Sequence, residues 1–302
     1  MSRLKIEKCA ACHSDNVMPV MQIKDHSISG ELFTISECKS CGFRFTQDPP
    51  SEDDCGVYYQ SDDYISHSDT SKGLVFMLYH KVRSIMLGRK AKLLNQLSAA
   101  KTLLDIGSGT GYFLDHMSNE GYSVTGVEVD EKARAYSMDR FGVNVITPKE
   151  LLQGTLKQTF GYITLWHVLE HLYNPDNYIK ICHDLLDENG FLIIALPNHN
   201  SRDAAFYKTF WAAYDVPRHL WHFNPETLSL FAVRNGFEVA IKKDMPFDPF
   251  YNSMLSEKYK TGASSLVKGA FRGLIAFISG RMNIQNASSV IYILKKSLPK
   301  NT

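Results

Sequence analysis

The sequence lacks both a large net charge and a long apolar run. Its 33 Lys and Arg residues nearly balance its 32 Asp and Glu residues, which leaves a formal net charge of +1 at pH 7. This balance gives no electrostatic case for binding nucleic acid or an anionic membrane. The nearest candidate for a membrane span, Leu266 to Ser279, is interrupted by Lys268 and Arg272. It falls short of the ~18 uninterrupted apolar residues that a span requires.

We also expect no secretion signal, because the stretch from Met1 to Lys8 is polar and has no apolar centre. We therefore expect a soluble, cytoplasmic protein without a membrane span. Its 302 residues, of which 44% are hydrophobic, are enough for one large α/β domain and a small appendage.

Cysteine is scarce, but four of the six cysteines form a pattern. Cys9 and Cys12 form one Cys-x-x-Cys knuckle. Cys38 and Cys41 form a second one, and 25 residues separate the two. Two knuckles supply four thiolates for a tetrahedral structural Zn²⁺, and a β-hairpin between them accommodates the gap. The alternatives are two disulfides or four ordinary cysteines. A chain without a secretion signal favours zinc.

The most informative motif follows the apolar run Thr102 to Ile106, which predicts a buried strand. Gly107, Gly109 and Gly111 then predict a tight turn that opens a helix. Their spacing is not the Gly-x-Gly-x-x-Gly that cradles a dinucleotide pyrophosphate. The next apolar run ends at Glu128, whose carboxylate could accept hydrogen bonds from both hydroxyls of a ribose. An adenosine ligand without phosphate fits this pattern best.

These residues resemble the class I S-adenosylmethionine (SAM)-dependent methyltransferases, whose first motif is an acid-x-Gly-x-Gly-x-Gly turn. The resemblance implies SAM as cofactor and an aspartate at position 161, where this chain has Gly161. It also implies that Asp105 holds the turn or reaches the methionine amino group through water. The residues expected to bind the cofactor are Asp105, Gly107, Ser108, Gly109, Gly111, Tyr112, Glu128, Val129, Trp166 and His167.

Strands alternate with helices from residue 102 onwards, which predicts an α/β fold with a Rossmann-like, doubly wound and mostly parallel sheet. The resemblance implies that a final strand, near residues 287–294, is antiparallel. We expect a zinc-ribbon-like domain over residues 1–50, then a connector and helical cap over 51–98. The methyltransferase domain then covers 99–302, with an insertion at 245–286.

A second motif, His167-x-x-Glu170-His171, follows the predicted strand 162–166. It matches the inverted zinc-protease pattern, but a buried strand in this order is the wrong context for that site. The ubiquinone-pathway O-methyltransferases carry Glu-x-x-Glu-His here and are associated with a divalent metal. His167 replaces their first acid, which argues against a catalytic metal. We expect Glu170 and His171 to pin the loop to neighbouring backbone.

The connection after the fifth predicted strand is dense in polar and aromatic residues and is expected to shape the acceptor pocket. Its end resembles the zinc-containing sugar C-methyltransferases, in which a His in a Glu-His-x-x-Tyr-Phe context is the catalytic base. His219 falls at the matching position, with Arg218 in place of the Glu and His222 in place of the Tyr. His219 and His222 are therefore the candidate catalytic residues. Alternatively, both cap the following helix or bind loop carbonyls.

Together these features predict a SAM-dependent methyltransferase that acts on a small or medium polar acceptor, sugar-like or another metabolite, through a C- or O-nucleophile. One alternative is an RNA base methyltransferase with a zinc module. Residues 1–50 hold six Lys and Arg and six Asp and Glu, however, which is not a phosphate-binding patch. Another alternative is a non-catalytic SAM-binding or zinc-ribbon interaction module, because cofactor binding does not prove turnover.

Overall fold

The computed structural model describes residues 2–59, 74–263 and 265–297, so residues 60–73 of the predicted connector lie outside the described residues. The described residues form eleven strands and nine α-helices. The strands are β1 (Val17–Lys24), β2 (Leu32–Cys38), β3 (Arg44–Gln47), β4 (Thr102–Ile106), β5 (Ser123–Val127), β6 (Asn144–Ile146), β7 (Phe160–Trp166), β8 (Leu186–Pro197), β9 (Trp221–His222), β10 (Phe237–Asp244) and β11 (Ser289–Lys296). The helices are α1 (Leu74–Leu97), α2 (Tyr112–Asn119), α3 (Glu131–Phe141), α4 (Pro148–Leu152), α5 (Pro175–Leu185), α6 (Arg202–Tyr207), α7 (Pro225–Arg234), α8 (Asp248–Thr261) and α9 (Leu266–Met282).

The strands form two sheets. A four-stranded sheet has the order β1-β2-β3-β9, and a seven-stranded sheet has the order β10-β11-β8-β7-β4-β5-β6. Strand β4 pairs in parallel with β5 and β7, and β5 pairs in parallel with β6. The last strand, β11, pairs antiparallel with β10. The predicted Rossmann-like, mostly parallel sheet with an antiparallel final strand is therefore confirmed.

The chain divides into two compact units that do not follow the order of the sequence. The first unit comprises Met1–Ser61, His167–Pro175 and Ile194–Thr302, and the second comprises Asp62–Trp166 and Asp176–Ile193. The domain boundaries that the sequence suggests at residues 50 and 98 stay a prediction.

The second unit is built on parallel strands that are covered on both faces. Six of the seven residues of β7 are buried, and so are four of the five in β4. Such strands read as continuous apolar runs rather than as alternating patterns. The register pairs Ile106 with both Val127 and Leu165. Three strands of this unit therefore end at the same edge, where an open α/β sheet binds its ligands.

The first unit contains the predicted hairpin between the two cysteine knuckles, formed by β1 and β2. Strand β3 follows it and pairs with β9, so that Phe45 lies opposite Trp221 and Arg44 lies opposite His222. Strand β9 belongs to the connection that the sequence assigns to the acceptor pocket. The ribbon sheet is therefore completed by a segment that lies far away in sequence.

The insertion consists of α8 and α9, which pack closely within the first unit. A Cβ atom added to Gly269 would lie 2.6 Å from the Cα atom of Met254, and one added to Gly273 would lie 2.7 Å from the Cα atom of Phe250. Glycine is required at both positions because the helix backbones approach this closely. Among the described helices, none combines the length and the apolar character needed to cross a membrane.

Candidate active site

The glycine turn joins β4 to α2 in the second unit. Gly107, Gly109 and Gly111 all have positive φ, at 76°, 55° and 80°. These angles lie in the left-handed region, which glycine adopts without strain. A Cβ atom on Gly111 would lie 2.7 Å from the Ser137 hydroxyl oxygen, whereas one on Gly109 would meet nothing within 4 Å. The turn is therefore packed at Gly111 and open at Gly109, where bare backbone can face a ligand.

Glu128 holds this turn in place from the end of β5. Its Oε2 atom accepts a hydrogen bond of 2.7 Å from the Gly109 amide, and its Oε1 atom accepts one of 2.9 Å from the Asp130 amide. Each carboxylate oxygen has a second lone pair, so both can still accept a hydrogen bond from a ligand hydroxyl. The next residue, Val129, is 76% exposed.

The Ser108 hydroxyl oxygen and the Trp166 indole nitrogen are buried and have no hydrogen-bond partner among the described residues. Both residues were predicted to contact the cofactor. Buried polar atoms normally find a partner, and a bound ligand can supply one. The bare turn, the Glu128 carboxylate and the Ser108 hydroxyl thus fit a nucleoside without phosphate.

Asp105 is a buried residue of β4. Its carboxylate accepts a hydrogen bond of 2.5 Å from the Thr164 hydroxyl on the neighbouring strand β7. Burial raises the pKa of Asp105 to about 6, although the Thr164 hydroxyl and the Lys90 charge act in the opposite direction. The sequence reasoning missed Thr164, because strand pairing, not spacing, brings it to Asp105.

Aromatic side chains surround the turn. The Lys90 ammonium lies 4.2 Å from the centre of the Trp166 ring, and the Phe113 ring packs edge-on against the same indole at 5.9 Å. The Tyr112 ring packs edge-on against Phe141 at 5.1 Å. These contacts fix the orientation of Trp166 and Tyr112, two of the residues that the sequence predicts to bind the cofactor.

Gly161 stands where the resembling family commonly has aspartate, and the structure gives a steric reason. A Cβ atom at this position would collide with the Cβ atom of Ala100. The Gly161 amide instead donates a hydrogen bond of 2.8 Å to the Thr102 hydroxyl. A larger residue here would require the chain before β4 to move.

In the first unit, His167 lies between two carboxylates. Its φ angle is 56°, and its Nδ1 and Nε2 atoms lie 3.3 Å from Glu170 and 3.0 Å from Asp248. Burial lowers the pKa of His167, but the charges and hydrogen bonds of Asp248 and Glu170 outweigh burial and raise it to about 10. His167 is therefore an imidazolium at neutral pH. No local pattern in the sequence indicates Asp248, which belongs to the insertion.

His219 presents one free ring nitrogen. Its Nδ1 atom lies 2.9 Å from the carbonyl oxygen of Ala213, and a carbonyl can only accept. This contact assigns the proton of the neutral ring to Nδ1 and leaves Nε2 unprotonated. The Nε2 atom lies 3.9 Å from the Asp215 carboxylate, and the side chain is 12% exposed.

Glu170 and His171 lie beside His219. The His171 Nδ1 atom lies 3.0 Å from the Arg218 carbonyl oxygen, as expected for a residue that pins the loop to backbone. Burial, then the nearby His219, lowers the pKa of His171 to about 4. One ligand atom from each of Glu170, His171 and His219 lies within 4.8 Å of the others, so the cluster could also hold a cation. The sequence argument from His167 did not anticipate this geometry.

His222 lies in the ribbon sheet, on β9, and is 4% exposed. The Thr46 hydroxyl donates to the carbonyl oxygen of His219 at 2.7 Å, so the His222 Nε2 atom, 3.1 Å away, is the donor to Thr46. Burial lowers the pKa of His222 well below its usual value. These contacts are those of a sheet-packing residue, and the catalytic role of His222 stays a prediction.

The four knuckle cysteines converge in the first unit. The Sγ atoms of Cys9 and Cys41 lie 3.6 Å apart, as do those of Cys12 and Cys38. A disulfide needs about 2.05 Å between sulfurs. Four sulfurs at about 2.3 Å from a tetrahedral zinc would lie about 3.8 Å apart. All four Sγ atoms lie within 4.8 Å of one another, so the donor set and its geometry fit Zn²⁺.

Comparison with known proteins shows the family to which the chain belongs. Residues 78–240, more than half of the chain, match the family described as "Methyltransferase domain". The ubiquinone biosynthesis O-methyltransferase of Pseudomonas paraeruginosa is 29% identical over 177 residues, which cover 54% of this chain and 73% of that protein. The enzyme of the same name from Azoarcus sp. is 26% identical over 164 residues, 50% of this chain and 70% of that protein.

A solved structure supports the fold. Magnesium protoporphyrin IX methyltransferase from Synechocystis PCC 6803 with bound SAH superposes with a TM-score of 0.51 at 15% identity, covering 80% of this chain and 97% of that chain.

The His167–Asp248 contact predicts a pH-dependent stability. The pKa of His167 is raised from 6.5 to about 10, so its stabilisation is complete below pH 6.5 and is lost as the pH rises through about 10. Asp248→Asn should therefore destabilise the protein most near pH 6.5 and least above pH 10. Urea unfolding across this range measures the difference. Asp244→Asn, which removes a carboxylate from Arg281, is the control and should show no such dependence. A destabilisation by Asp248→Asn that is the same at every pH would contradict the assignment.

Proposed function

The chain belongs to the SAM-dependent methyltransferase family, and we propose that its acceptor is a small or medium polar metabolite. We put forward a sugar-like molecule, or another metabolite, with a carbon or oxygen nucleophile. SAM, when bound, supplies the electrophilic methyl group. The observation that supports this proposal is the free Nε2 atom of His219, which is held in a polar cluster of histidines and carboxylates.

We propose that the cofactor is bound by the glycine turn and the end of β5. The backbone of Gly107, Gly109 and Gly111 lies along the nucleoside, and Glu128 accepts hydrogen bonds from its ribose hydroxyls. The hydrogen bonds from the Gly109 and Asp130 amides orient the Glu128 carboxylate before the ligand arrives. Ser108 supplies a hydroxyl that has no protein partner among the residues described.

We propose that the remaining cofactor residues lie around the glycine turn and Glu128. Tyr112 and Val129 border the nucleoside, and Trp166 and His167 border the methionine end. Asp105, bound to Thr164, keeps β4 and β7 in register rather than contacting the cofactor directly.

Glu128→Ala should weaken SAM binding about 10- to 100-fold, because a hydrogen bond to a charged group contributes about 1.5–3 kcal/mol. Isothermal titration with SAM measures this change. Glu131→Ala removes an exposed carboxylate three residues away and is the control. Glu128→Gln keeps an acceptor for the Gly109 amide and should fall between the two. A SAM affinity that Glu128→Ala leaves unchanged would refute the placement of the ribose.

We propose that His219 removes the proton from the acceptor. Its Nδ1 atom is fixed by the Ala213 carbonyl, so the Nε2 atom can accept a proton in a defined direction. The Glu170 and Asp215 carboxylates lie close enough to stabilise the imidazolium that forms. We also propose that His222, the second catalytic candidate, acts by supporting His219: both contact the Thr46 hydroxyl, His219 through its carbonyl oxygen.

His219→Gln should lower kcat about 10²- to 10⁴-fold, the usual contribution of a general base, and leave SAM affinity intact. Turnover of candidate sugars is measured as release of S-adenosylhomocysteine. His183→Gln, at a partly exposed position on α5, is the control. A variant as active as wild type would show that His219 is structural. If turnover instead needs an added divalent cation and stops with a chelator, His219 acts with Glu170 and His171 as a metal ligand.

We propose that Cys9, Cys12, Cys38 and Cys41 hold a structural Zn²⁺. The zinc would replace a hydrophobic core that a ribbon of this size cannot build by itself. Cys38→Ser should release the metal and increase hydrogen exchange in β1, β2 and β3. The control is Cys55→Ser, since Cys55 lies outside the group of four. Metal content of the purified protein is the readout. One zinc per chain retained by Cys38→Ser would rule out the four-thiolate site.

A further inference from the structure

Helix α9 buries its smallest residues and exposes its largest apolar ones. The face that packs inside the first unit consists of Gly269, Gly273, Ala276 and Gly280. The opposite face carries Val267, Phe271, Leu274, Ile278 and Met282. A surface helix of a globular protein normally has the reverse arrangement, with its apolar side chains towards the core.

These five side chains form a continuous stripe, because they recur at intervals of three and four residues. Val267 and Met282 are 83% exposed, and Phe271 is 60% exposed. The close packing of α9 on α8 requires the glycines but places no demand on the opposite face. A row of exposed apolar side chains along a whole helix marks an interaction surface.

Basic residues outnumber acidic ones on the two helices of the insertion. Helices α8 and α9 carry five basic residues, which are Lys258, Lys260, Lys268, Arg272 and Arg281. Their two acidic residues are already engaged: Asp248 contacts His167, and the buried Glu257 accepts a hydrogen bond of 3.0 Å from Tyr207. The near-zero net charge of the whole chain conceals this local excess of positive charge.

Two basic residues of α9, Lys268 and Arg281, flank the stripe. At 100° per residue, Lys268 and Arg281 lie on opposite borders of the apolar face. Arg281 also contacts Asp244, and its side chain is still 64% exposed. The Arg272 guanidinium lies 3.9 Å from the centre of the Phe206 ring, which holds it at the side of the helix.

We propose that α9 binds the surface of a lipid bilayer that contains anionic headgroups, lying flat with the stripe at the boundary between headgroups and acyl chains. An apolar helix face bordered by cations is the pattern of such interfacial helices. Anionic lipid attracts the flanking Lys and Arg residues. A second copy of the chain fits less well, because a symmetric contact would bring the same cations of both copies together.

The test is flotation of the full chain with vesicles of phosphatidylcholine alone or of equal parts phosphatidylcholine and phosphatidylglycerol. We expect binding to the anionic vesicles that decreases at high salt, and little binding to the neutral ones. The double variant Phe271→Ser with Ile278→Ser should bind about tenfold more weakly or worse, because it removes two apolar side chains of the stripe that would enter the bilayer. Lys268→Glu should weaken binding to anionic vesicles only.

The matched control is Val233→Ser, which removes a 64% exposed apolar side chain from α7 and should bind like wild type. Thermal unfolding and SAM titration establish that the variants are folded. Anionic vesicles bound equally by wild type and the double variant, or not bound at all, would overturn the proposal. So would a wild-type dimer that the double substitution dissociates in the absence of vesicle binding, since the stripe would then belong to a second copy.

Discussion

The Gly109 amide and the Glu128 carboxylate, 2.7 Å apart, connect the two loops that follow β4 and β5. This contact depends on two properties of the sequence. Gly109 must adopt a positive φ of 55°, which glycine does without strain, and the two strands must end in register, as the pairing of Ile106 with Val127 ensures. When both conditions are met, the Glu128 carboxylate holds the turn and still has lone pairs that can accept hydrogen bonds from a ligand. The arrangement prepares the site before any ligand is present, which lowers the ordering cost of binding.

A second constraint operates in the first unit, where Arg218 is buried with two carboxylates. Its guanidinium lies 2.6 Å from Asp215 and 3.2 Å from Asp25, and it also donates to the Tyr58 carbonyl oxygen at 2.8 Å. Breaking a buried ion pair by removing one partner costs about 3–5 kcal/mol, because the other charge stays buried without compensation. The residue next to the proposed base is therefore anchored to the ribbon hairpin. The arginine at this position, a departure from the resembling sugar methyltransferases, has a structural explanation.

The local parts of this structure could be predicted from sequence, and the long-range ones could not. The sequence predicts strand β4 and the glycine turn after it because apolar runs and glycine spacing are read within a few positions. Tertiary packing determines the partners of His167 and the pairing of β3 with β9, and neither leaves a local signal. The stripe on α9 could not be predicted from the sequence either, because apolar residues occur on all sides of the helix. Only the approach of α8 decides which face the glycines bury.

The pairing of β3 with β9 has a consequence for removing the cysteine ribbon from the chain. The last strand of the cysteine ribbon is the hydrogen-bonding partner of the segment that contains Trp221 and His222. A cut near residue 50 would leave that segment as an unpaired edge, with its backbone donors and acceptors unsatisfied. The cysteine ribbon and the segment that contains Trp221 and His222 therefore form one sheet, and neither keeps these backbone hydrogen bonds without the other.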